Sequence, residues 1–345
     1  MARYAGIDPG TSSFEIFILE DDEPLVRREI STAEVRDNPD LFSEVLNEVE
    51  VDVIAGLSGY GIPVKRFSEL KEEEIFLMTL NLDKESAMGL RQLLRISLEK
   101  NYTIYTVPGV IHLPTVPEHR KFNRIDMGTA DKLCSAILGI YQLSEEKTFD
   151  EIDFILAESG SGFNSCISVK GGKIVDGVGG TCSFPAFSSM GFIDGELAYL
   201  LGDFPKKMLF SGGYKSFLAS KGFFVDSIDE VPEEVMVWMA ESLLKSVMAA
   251  KTSSSSDKVL MSGRNFSSRE FNRIFREMAE SYGFDCEMLR GFGCAKQSAE
   301  GAAIIANGIS GGSFSRIIEH AEVMKASGSV LDYLTPDIRK YLRIS

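Results

Sequence analysis

The sequence has few of the residues that build metal centres and disulfide frameworks. Its 345 residues include three histidines, which leave little material for a histidine-based metal site. The five cysteines lie in apolar segments without the paired spacing of a metal site, a pattern typical of buried reduced thiols. They are Cys134, Cys166, Cys182, Cys286 and Cys294.

Basic residues and long apolar runs are also scarce. Lysine and arginine total 36 against 51 aspartates and glutamates, so the formal net charge is -15. This balance argues against broad contact with nucleic acid or an anionic membrane, because either partner needs a basic face. No apolar run reaches membrane-spanning length and no signal peptide is evident, so we expect a cytoplasmic location.

The chain does contain enough apolar material for a large core. Hydrophobic residues make up 44% of it and charged residues 25%, which are the proportions of a globular protein. Because 345 residues exceed the usual size of one domain, we expect two lobes.

A polar turn lies near the N-terminus between two strand-like runs, at 4–7 and 14–19. Its residues are Asp8, Pro9, Gly10, Thr11, Ser12 and Ser13. The glycine lets a ligand approach the backbone, and the three hydroxyl residues offer donors suited to phosphate oxygens. Asp8 is suited to a hydrated Mg²⁺, which prefers one or two carboxylates with waters and phosphates. The alternative is an ordinary surface turn, where the same residue types are common.

The same arrangement occurs in the second half of the chain. Strand-like runs at 152–156 and 163–169 flank an acid and several small residues. This turn contains Glu158, Ser159, Gly160, Ser161 and Gly162. After a further hairpin at Gly171-Gly172 comes a second glycine-rich loop with Gly177, Gly179, Gly180 and Thr181. Two hairpins of one kind suggest two lobes of related design that clamp a polyphosphate in one cleft.

A third polar turn follows another apolar strand. It consists of Ser262, Gly263, Arg264 and Asn265. Residues 267–282 then read as an amphipathic helix with a capping box between Ser267 and Glu270 and a stop at Gly283. The turn is either an ordinary strand-to-helix connection or a nucleoside site, where the glycine permits close approach and the arginine contacts base or phosphate.

Two helices rich in small residues are predicted, in "GTADKLCSAILGIY" at 128–141 and "AKQSAEGAAIIA" at 295–306. Small side chains let backbones come close. The helices are either packing seams or a pair that crosses between the lobes and forms a hinge. The serine-rich segment 251–258 reads as a flexible connection.

This ordered series resembles the superfamily of acetate and sugar kinases, heat-shock chaperone ATPases and actin. The matching parts are a first phosphate hairpin, a connecting helix, a second phosphate hairpin, an adenosine loop and a second connecting helix, at 8–13, 128–141, 158–162, 262–265 and 296–308. The resemblance implies an α/β, two-lobed, actin-like ATPase (ribonuclease H-like) fold with a central nucleotide cleft. It divides the chain into a first lobe at 1–126, a second lobe at 127–310 and a C-terminal helical segment at 311–345 that packs back on the first lobe.

Within the superfamily the sequence is most similar to the butyrate kinase branch, and to a largely archaeal group of predicted butyrate kinases. The similarity lies in "YTVPGVIHLPTVPEHRKFNRIDMGTADK" and "GSGFNSCISVKGGKIVDGVGGTCSFP". It implies in-line transfer of the γ-phosphoryl group of ATP to a carboxylate with Mg²⁺. The chain departs from the branch where Glu158 replaces a histidine and where the loop around Phe187 lacks a transition-state arginine. Candidate replacements for that positive charge are Lys132, Arg124 and Arg120.

The residues and the resemblance together define the predicted site. Asp8, Glu158 and Lys132 are the predicted catalytic residues, and Asp8 is also the predicted Mg²⁺ ligand. ATP contacts are assigned to the three turns and the second glycine-rich loop, at Gly10, Thr11, Ser12, Ser13, Gly160, Ser161, Gly162, Gly179, Gly180, Thr181, Ser262, Gly263, Arg264 and Asn265.

Three functions are consistent with this site. The first is an ATP- and Mg²⁺-dependent phosphotransferase acting on a small-molecule acceptor. The second is an ATP-hydrolysing switch or activator, and the third is a nucleotide-binding regulatory protein without catalysis. The sequence has no obvious docking module for a large partner, which favours the first. The resemblance also implies a homodimer formed through the second lobe.

Overall fold

The computed structural model describes residues 1–9, 13–38, 40–56, 59–82 and 102–342, so Gly10, Thr11 and Ser12 of the predicted site lie outside the described residues. The chain forms two five-stranded sheets with helices packed on them, as the predicted α/β class requires. The strands are β1 (Arg3–Pro9), β2 (Ser13–Glu20), β3 (Glu23–Ser31), β4 (Val53–Gly56), β5 (Ile104–Tyr105), β6 (Phe154–Ser159), β7 (Asn164–Lys170), β8 (Lys173–Val178), β9 (Lys258–Ser262) and β10 (Asp285–Met288).

The α-helices vary in length from single turns to a long rod in the second half. They are α1 (Thr32–Asp37), α2 (Asp40–Val49), α3 (Glu72–Thr79), α4 (Glu118–Lys121), α5 (Ala130–Ser144), α6 (Gly195–Leu201), α7 (Tyr214–Ser220), α8 (Glu233–Ser254), α9 (Arg269–Ser281), α10 (Gln297–Ile309), α11 (Ser315–His320) and α12 (Pro336–Arg339). Among the described residues, none of these helices is both long and apolar enough to cross a membrane.

The two sheets have the same strand order. The first runs β3-β2-β1-β4-β5 and the second runs β8-β7-β6-β9-β10. In each sheet three strands form an antiparallel meander, a fourth strand pairs in parallel with the first strand of the meander, and a fifth pairs in parallel with the fourth. The related design expected from the two hairpins is therefore present, and each hairpin connects the first two strands of its sheet.

The inner strands of both sheets are covered on both faces, which explains why β2, β6 and β9 are largely apolar. In β1, Ala5 and Ile7 belong to an outer core with α1 and α2, while Tyr4 belongs to a central core. In β6, Phe154 belongs to that same central core, while Ile155 packs in a second outer core with α8 and α9. The central core lies between the two sheets and unites the lobes.

Helices α5 and α10 fill this central core, and glycines allow each helix to pack closely on a sheet. A Cβ on Gly6 of β1 would lie 2.0 Å from the carbonyl oxygen of Ala299 in α10. A Cβ on Gly139 of α5 would lie 2.7 Å from the ring of Phe154 in β6. Thus α10, which follows the last strand of the second sheet, returns to pack on the first sheet.

The segment 251–258 is not the flexible connection that we predicted. Helix α8 continues through Ser254, and the Ser253 hydroxyl donates a hydrogen bond to Asp176. The Ser256 hydroxyl donates to the carbonyl of Asp153 at 3.0 Å. These serines are buried and bonded to the second sheet, so their composition was a poor guide to flexibility.

The predicted capping box between Ser267 and Glu270 also does not form. The Ser267 hydroxyl donates to the carbonyl of Arg264 at 2.6 Å, inside a short 3₁₀ turn, and Glu270 forms an ion pair with Arg273. Helix α9 therefore begins at Arg269. The predicted stop is correct, because Gly283 adopts a positive φ directly after the helix.

The C-terminal segment contacts elements from both halves of the chain. The Lys121 ammonium donates to the Tyr333 hydroxyl at 3.1 Å, and the Ser327 amide donates to the carbonyl of His112 at 3.0 Å. On the other side, the His320 ring packs on Phe149 with 4.9 Å between ring centroids. The segment therefore closes the end of the molecule where the two lobes join.

Candidate nucleotide site

The first hairpin has a carboxylate near its base, at Asp8. Asp8 is the second-last residue of β1, and Ser13 begins β2. The Asp8 side chain is only 12% exposed. The Ser13 hydroxyl donates to Glu29 at 2.7 Å, which fixes it against β3. Of the residues predicted to bind phosphate here, only Ser13 lies within the described part of the chain.

The second hairpin repeats this geometry in the other sheet. Glu158 is the second-last residue of β6, so it occupies the position of Asp8 in the related meander. The turn closes through a 2.9 Å bond from the Gly160 amide to the carbonyl of Phe163. No atom lies within 4 Å of a Cβ built on Gly162, and Ser161 is exposed. This hairpin therefore faces open space.

Lys132 links the second hairpin to the start of α5. Its ammonium forms an ion pair with Asp131 at 2.8 Å and a second with Glu158. The Thr129 hydroxyl donates to Asp131. Helix α5 is itself attached to the first lobe, because the Ala130 amide donates to the carbonyl of Gly59 at 3.1 Å. The predicted catalytic residues Lys132 and Glu158 are thus in direct contact.

The electrostatics show that Asp8 belongs to the same group. Burial raises the pKa of Asp8, the charge of Asp131 raises it further, and Lys296 and Lys132 oppose the shift. Burial likewise raises the pKa of Glu158, against the effect of Lys132. Burial also acts on Asp131, but Lys132 outweighs it and the pKa of Asp131 is lowered. Three carboxylates and two ammonium groups, drawn from both lobes, therefore interact in one site.

The donor set fits one hydrated Mg²⁺ better than a fully protein-bound metal. Among the described residues, no group of three or more histidines, cysteines or acids is arranged to hold a metal ion. Mg²⁺ does not need one, because it is commonly bound by one or two carboxylates together with waters and phosphates. Asp8 is placed to supply such a carboxylate at the base of the first hairpin.

Sequence reasoning missed Lys296. It immediately precedes α10, and its ammonium lies 3.1 Å from the carbonyl oxygen of Ser13 and 3.6 Å from Asp8. Lys296 stands far from these residues in the sequence. Only the return of α10 to β1 brings it to the hairpin, and a small-residue helix "AKQSAEG" is too common to predict that return.

The second glycine-rich loop has a different environment from the two hairpins. The buried carboxylate of Asp126 accepts bonds from the Thr181 amide at 2.9 Å and the Thr181 hydroxyl at 3.0 Å. A Cβ on Gly179 would lie 1.7 Å from that carboxylate, and one on Gly180 would lie 2.7 Å from Phe163. These glycines are required by packing, and the Thr181 donors already have a partner.

The third turn supports the second hairpin. Gly263 has a φ of 99°, and a Cβ there would lie 2.4 Å from the carbonyl oxygen of Ser159. The Asn265 amide donates to the carbonyl of Gly160 at 2.9 Å and to the Ser159 hydroxyl at 3.0 Å. Both residues hold the hairpin in position, and Ser262 is buried at the end of β9.

Arg264 projects from this turn towards the first lobe. Its side chain is 54% exposed, and its guanidinium lies 3.9 Å from the Glu29 carboxylate of β3. It therefore reaches from the second lobe to the first. Arg120 and Arg124, two candidate replacements for the missing arginine, have partners elsewhere. Arg120 donates to the carbonyl of Val175 at 2.8 Å, and Arg124 interacts with Cys182.

Comparison with solved structures identifies the fold. Acetate kinase from Entamoeba histolytica superposes with a TM-score of 0.59 at 12% identity, covering 81% of this chain and 87% of that chain. Acetate kinase from Porphyromonas gingivalis gives 0.57 at 13% identity, covering 88% and 98%. Propionate kinase from Francisella tularensis gives 0.56 at 12% identity, covering 88% and 98%. The chain therefore has the actin-like ATPase fold that its sequence predicts.

The chain belongs to the family described as protein of unknown function (DUF1464), whose model matches residues 6–336. A search of curated proteins gives no match.

Proposed function

We propose that this protein is an ATP- and Mg²⁺-dependent phosphotransferase that acts on a small-molecule acceptor. The observation that carries the proposal is that Glu158 pairs with Lys132, while the charge of Asp8 acts on Glu158 and is itself influenced by Lys132. These two acids occupy the same position in two related sheets, so each hairpin brings a carboxylate to one site between the lobes. Such a site suits a triphosphate bound between both hairpins with its metal ion.

The chemistry proposed is in-line transfer. An acceptor oxygen forms a bond to the γ-phosphorus while the bond to the β,γ-bridging oxygen breaks, and ADP leaves with that electron pair. Mg²⁺, when bound at Asp8, supplies positive charge to the phosphates. Lys132 holds Glu158 in place, and Glu158 accepts a proton if the acceptor is a hydroxyl group. A carboxylate acceptor would not need this base.

A carboxylate is favoured by the sequence similarity to the butyrate kinase branch and agrees with the names of the acetate and propionate kinases that share the fold. That branch relies on an arginine that this chain lacks near Phe187, so another cation must stabilise the transferred group. We propose a short carboxylic acid as the first acceptor class to test.

Calorimetric titration with ATP, with and without Mg²⁺, tests the proposal. We expect weak binding without the metal and tighter binding with it, and Asp8→Ala should abolish the difference. The matched control is Asp22→Ala, which removes an exposed acid from the β2–β3 turn. Metal-assisted binding that survives Asp8→Ala would show that the role given to Asp8 is wrong.

The acceptor can then be identified by a thermal-shift screen of short acids, sugars and amino acids with a non-hydrolysable ATP analogue. A compound that binds the folded protein together with the ATP analogue raises the melting temperature by mass action. ADP production that depends on the identified compound would support a phosphotransferase. If no compound has this effect, the acceptor proposal fails.

A second candidate, an ATP-driven switch or activator, is favoured by a contact across the cleft. Lys206 of the second lobe donates to the carbonyl of Leu80 at 3.1 Å, and also to that of Thr79, at the end of α3 in the first lobe. A contact of this kind can couple lobe closure to a partner. Slow ATP hydrolysis that is stimulated only by a protein would support this function over the first.

A further inference from the structure

Lys296 lies at the first hairpin, whereas Lys132 contacts the second, and the surroundings of the two ammonium groups differ. The Lys132 ammonium contacts two carboxylates, from Asp131 and Glu158, and its side chain is 16% exposed. Its positive charge is therefore already balanced within the protein. An additional anion would gain little from it without breaking one of these ion pairs.

Lys296 is less fully paired. Among the described residues, its nearest carboxylate is that of Asp8, at 3.6 Å, and its hydrogen bonds go to the neutral carbonyl and hydroxyl oxygens of Ser13, at 3.1 and 3.2 Å. Its side chain is 28% exposed. The ammonium thus lies at the base of the hairpin with access to the cleft, and a lysine side chain has the freedom to turn towards a bound anion.

The backbone that carries Lys296 is held firmly on both sides. On the C-terminal side of Lys296, α10 is fixed to β1 by the close approach of Ala299 to Gly6. On its N-terminal side, the buried carboxylate of Glu300 accepts bonds from the amides of Phe292, Cys294 and Ala295, at 2.9, 2.8 and 2.7 Å. Because the preceding loop and the helix are both anchored, the backbone of Lys296 has a defined position relative to Asp8 and Ser13, from which its flexible side chain can reach a bound phosphate.

We propose that Lys296 is a catalytic residue that contacts the terminal phosphate of ATP and stabilises the negative charge that develops on it during transfer. This inference rests on the proposed function. In this role Lys296 supplies the positive charge that an acyl kinase takes from an arginine. A mobile ammonium acts as a point charge on phosphate, whereas the paired Lys132 serves to hold Glu158.

The test compares Mg²⁺ complexes of ADP and of a non-hydrolysable ATP analogue by calorimetry, together with basal ADP production from ATP. The variants are Lys296→Met, Lys296→Arg and Lys296→Gln, with Lys245→Met as the control. Lys245 is an exposed lysine of α8 whose ion pair is with Glu241 on the same helix. Thermal unfolding establishes that each variant is folded, and Lys296→Gln replaces Lys296→Met if the latter is not.

We expect Lys296→Met to weaken binding of the ATP analogue about tenfold while ADP binding changes little, because the lost contact is to the third phosphate. Turnover should fall about 100-fold, as when one charge-stabilising donor is removed, and Lys296→Arg should retain part of it. The control should match the wild type in all three measurements.

Two results would overturn the inference in ways that can be told apart. If the wild type binds and hydrolyses ATP, and Lys296→Met either matches it or weakens ADP and the ATP analogue equally, Lys296 only braces the hairpin. In that case the proposed function stands and the role of Lys296 is rejected. If the wild type binds neither nucleotide, the proposed function and this inference fail together.

Discussion

Gly301 of α10 lies directly against the backbone of Cys134 in α5, so close that a Cβ would be 1.9 Å from the Cys134 carbonyl oxygen. The two helices cross at this point in the central core. The contact is between backbone atoms, which cannot move aside as the end of a flexible side chain can. The separation of α5 and α10 is therefore set by the absence of a side chain at one residue.

We predict that Gly301→Ala lowers the free energy of unfolding by about 3 kcal/mol, the upper part of the usual range for an overpacked core. Chemical denaturation measures the change. Gly195→Ala is the matched control, because it lies at the exposed start of α6 with no atom within 4 Å of the new methyl group. A loss of stability no larger than that of the control would mean that the helices separate at little cost.

Removing Lys132 should destabilise the protein strongly. Lys132→Met would leave the carboxylates of Asp131, Glu158 and Asp8 facing one another, and breaking a largely buried ion pair typically costs about 3 to 5 kcal/mol. Adding Glu158→Gln should restore part of this loss, because it removes one of the repelling charges. Urea unfolding of the single and double variants measures both effects.

The matched control for Lys132→Met is the loss of an ion pair that is exposed to solvent. Lys245→Met breaks an ion pair with Glu241 on the surface of α8, and such pairs contribute at most about 1 kcal/mol. Similar losses for Lys132→Met and Lys245→Met would show that the site charges are well solvated. A double variant less stable than Lys132→Met would contradict the assigned repulsion.

Lys206 should help to hold the lobes together. Besides its bonds to the end of α3, its ammonium lies 5.3 Å from the centroid of the Tyr60 ring in the first lobe. We expect Lys206→Met to increase the radius of gyration without nucleotide, as measured by small-angle X-ray scattering. The adjacent and exposed Lys207 provides the control Lys207→Met. Equal radii for both variants would mean that other contacts keep the cleft closed.

His112 should make stability depend on pH in the acid range. Burial lowers its pKa to about 4 from an ordinary 6.5, with a further contribution from Lys121 and opposition from a bond to Gly109. As pH falls from 6.5 to 4, the unfolded chain takes up a proton that the folded chain does not. Folding should therefore lose about 3 kcal/mol of stability across this window, and this stabilisation is fully present above it.

Denaturant unfolding at pH 4 and pH 7 tests this dependence. His112→Asn keeps a polar atom near Gly109 but does not titrate, so it should flatten the difference. His119→Asn changes an exposed histidine of the nearby helix α4 and serves as the control. If both variants retain the full pH dependence, other groups cause it.

The fold and the two hairpins could be predicted because their signals are local. Alternating and β-branched residues define the strands, and an acid followed by glycines marks each turn. Asp8 and Glu158 were singled out in this way, and Lys132 as a candidate for the missing arginine charge. The structure puts Lys132 in contact with Glu158, and the catalytic roles of all three stay predictions. The predicted nucleotide roles of the remaining turn residues stay predictions.

What the sequence did not reveal depends on long-range packing. Lys296 reaches Ser13 only because α10 returns to the first sheet, and no local pattern encodes that return. The serines at 253–256 look like a linker in composition, yet the hydroxyls of Ser253 and Ser256 bond to Asp176 and Asp153 of the second lobe. The sequence left the third turn open between an ordinary connection and a nucleoside site. In the structure Gly263 and Asn265 support Ser159 and Gly160, and a nucleotide contact at this turn stays a prediction.

The return of α10 also affects how the protein is made. A ribosome releases β1, β2 and β4 early, but one face of their sheet is covered by a helix that ends at Ile309. During synthesis of the intervening residues, that apolar face has to wait for its covering helix. The first sheet is therefore completed by a helix that is synthesised well after its own strands.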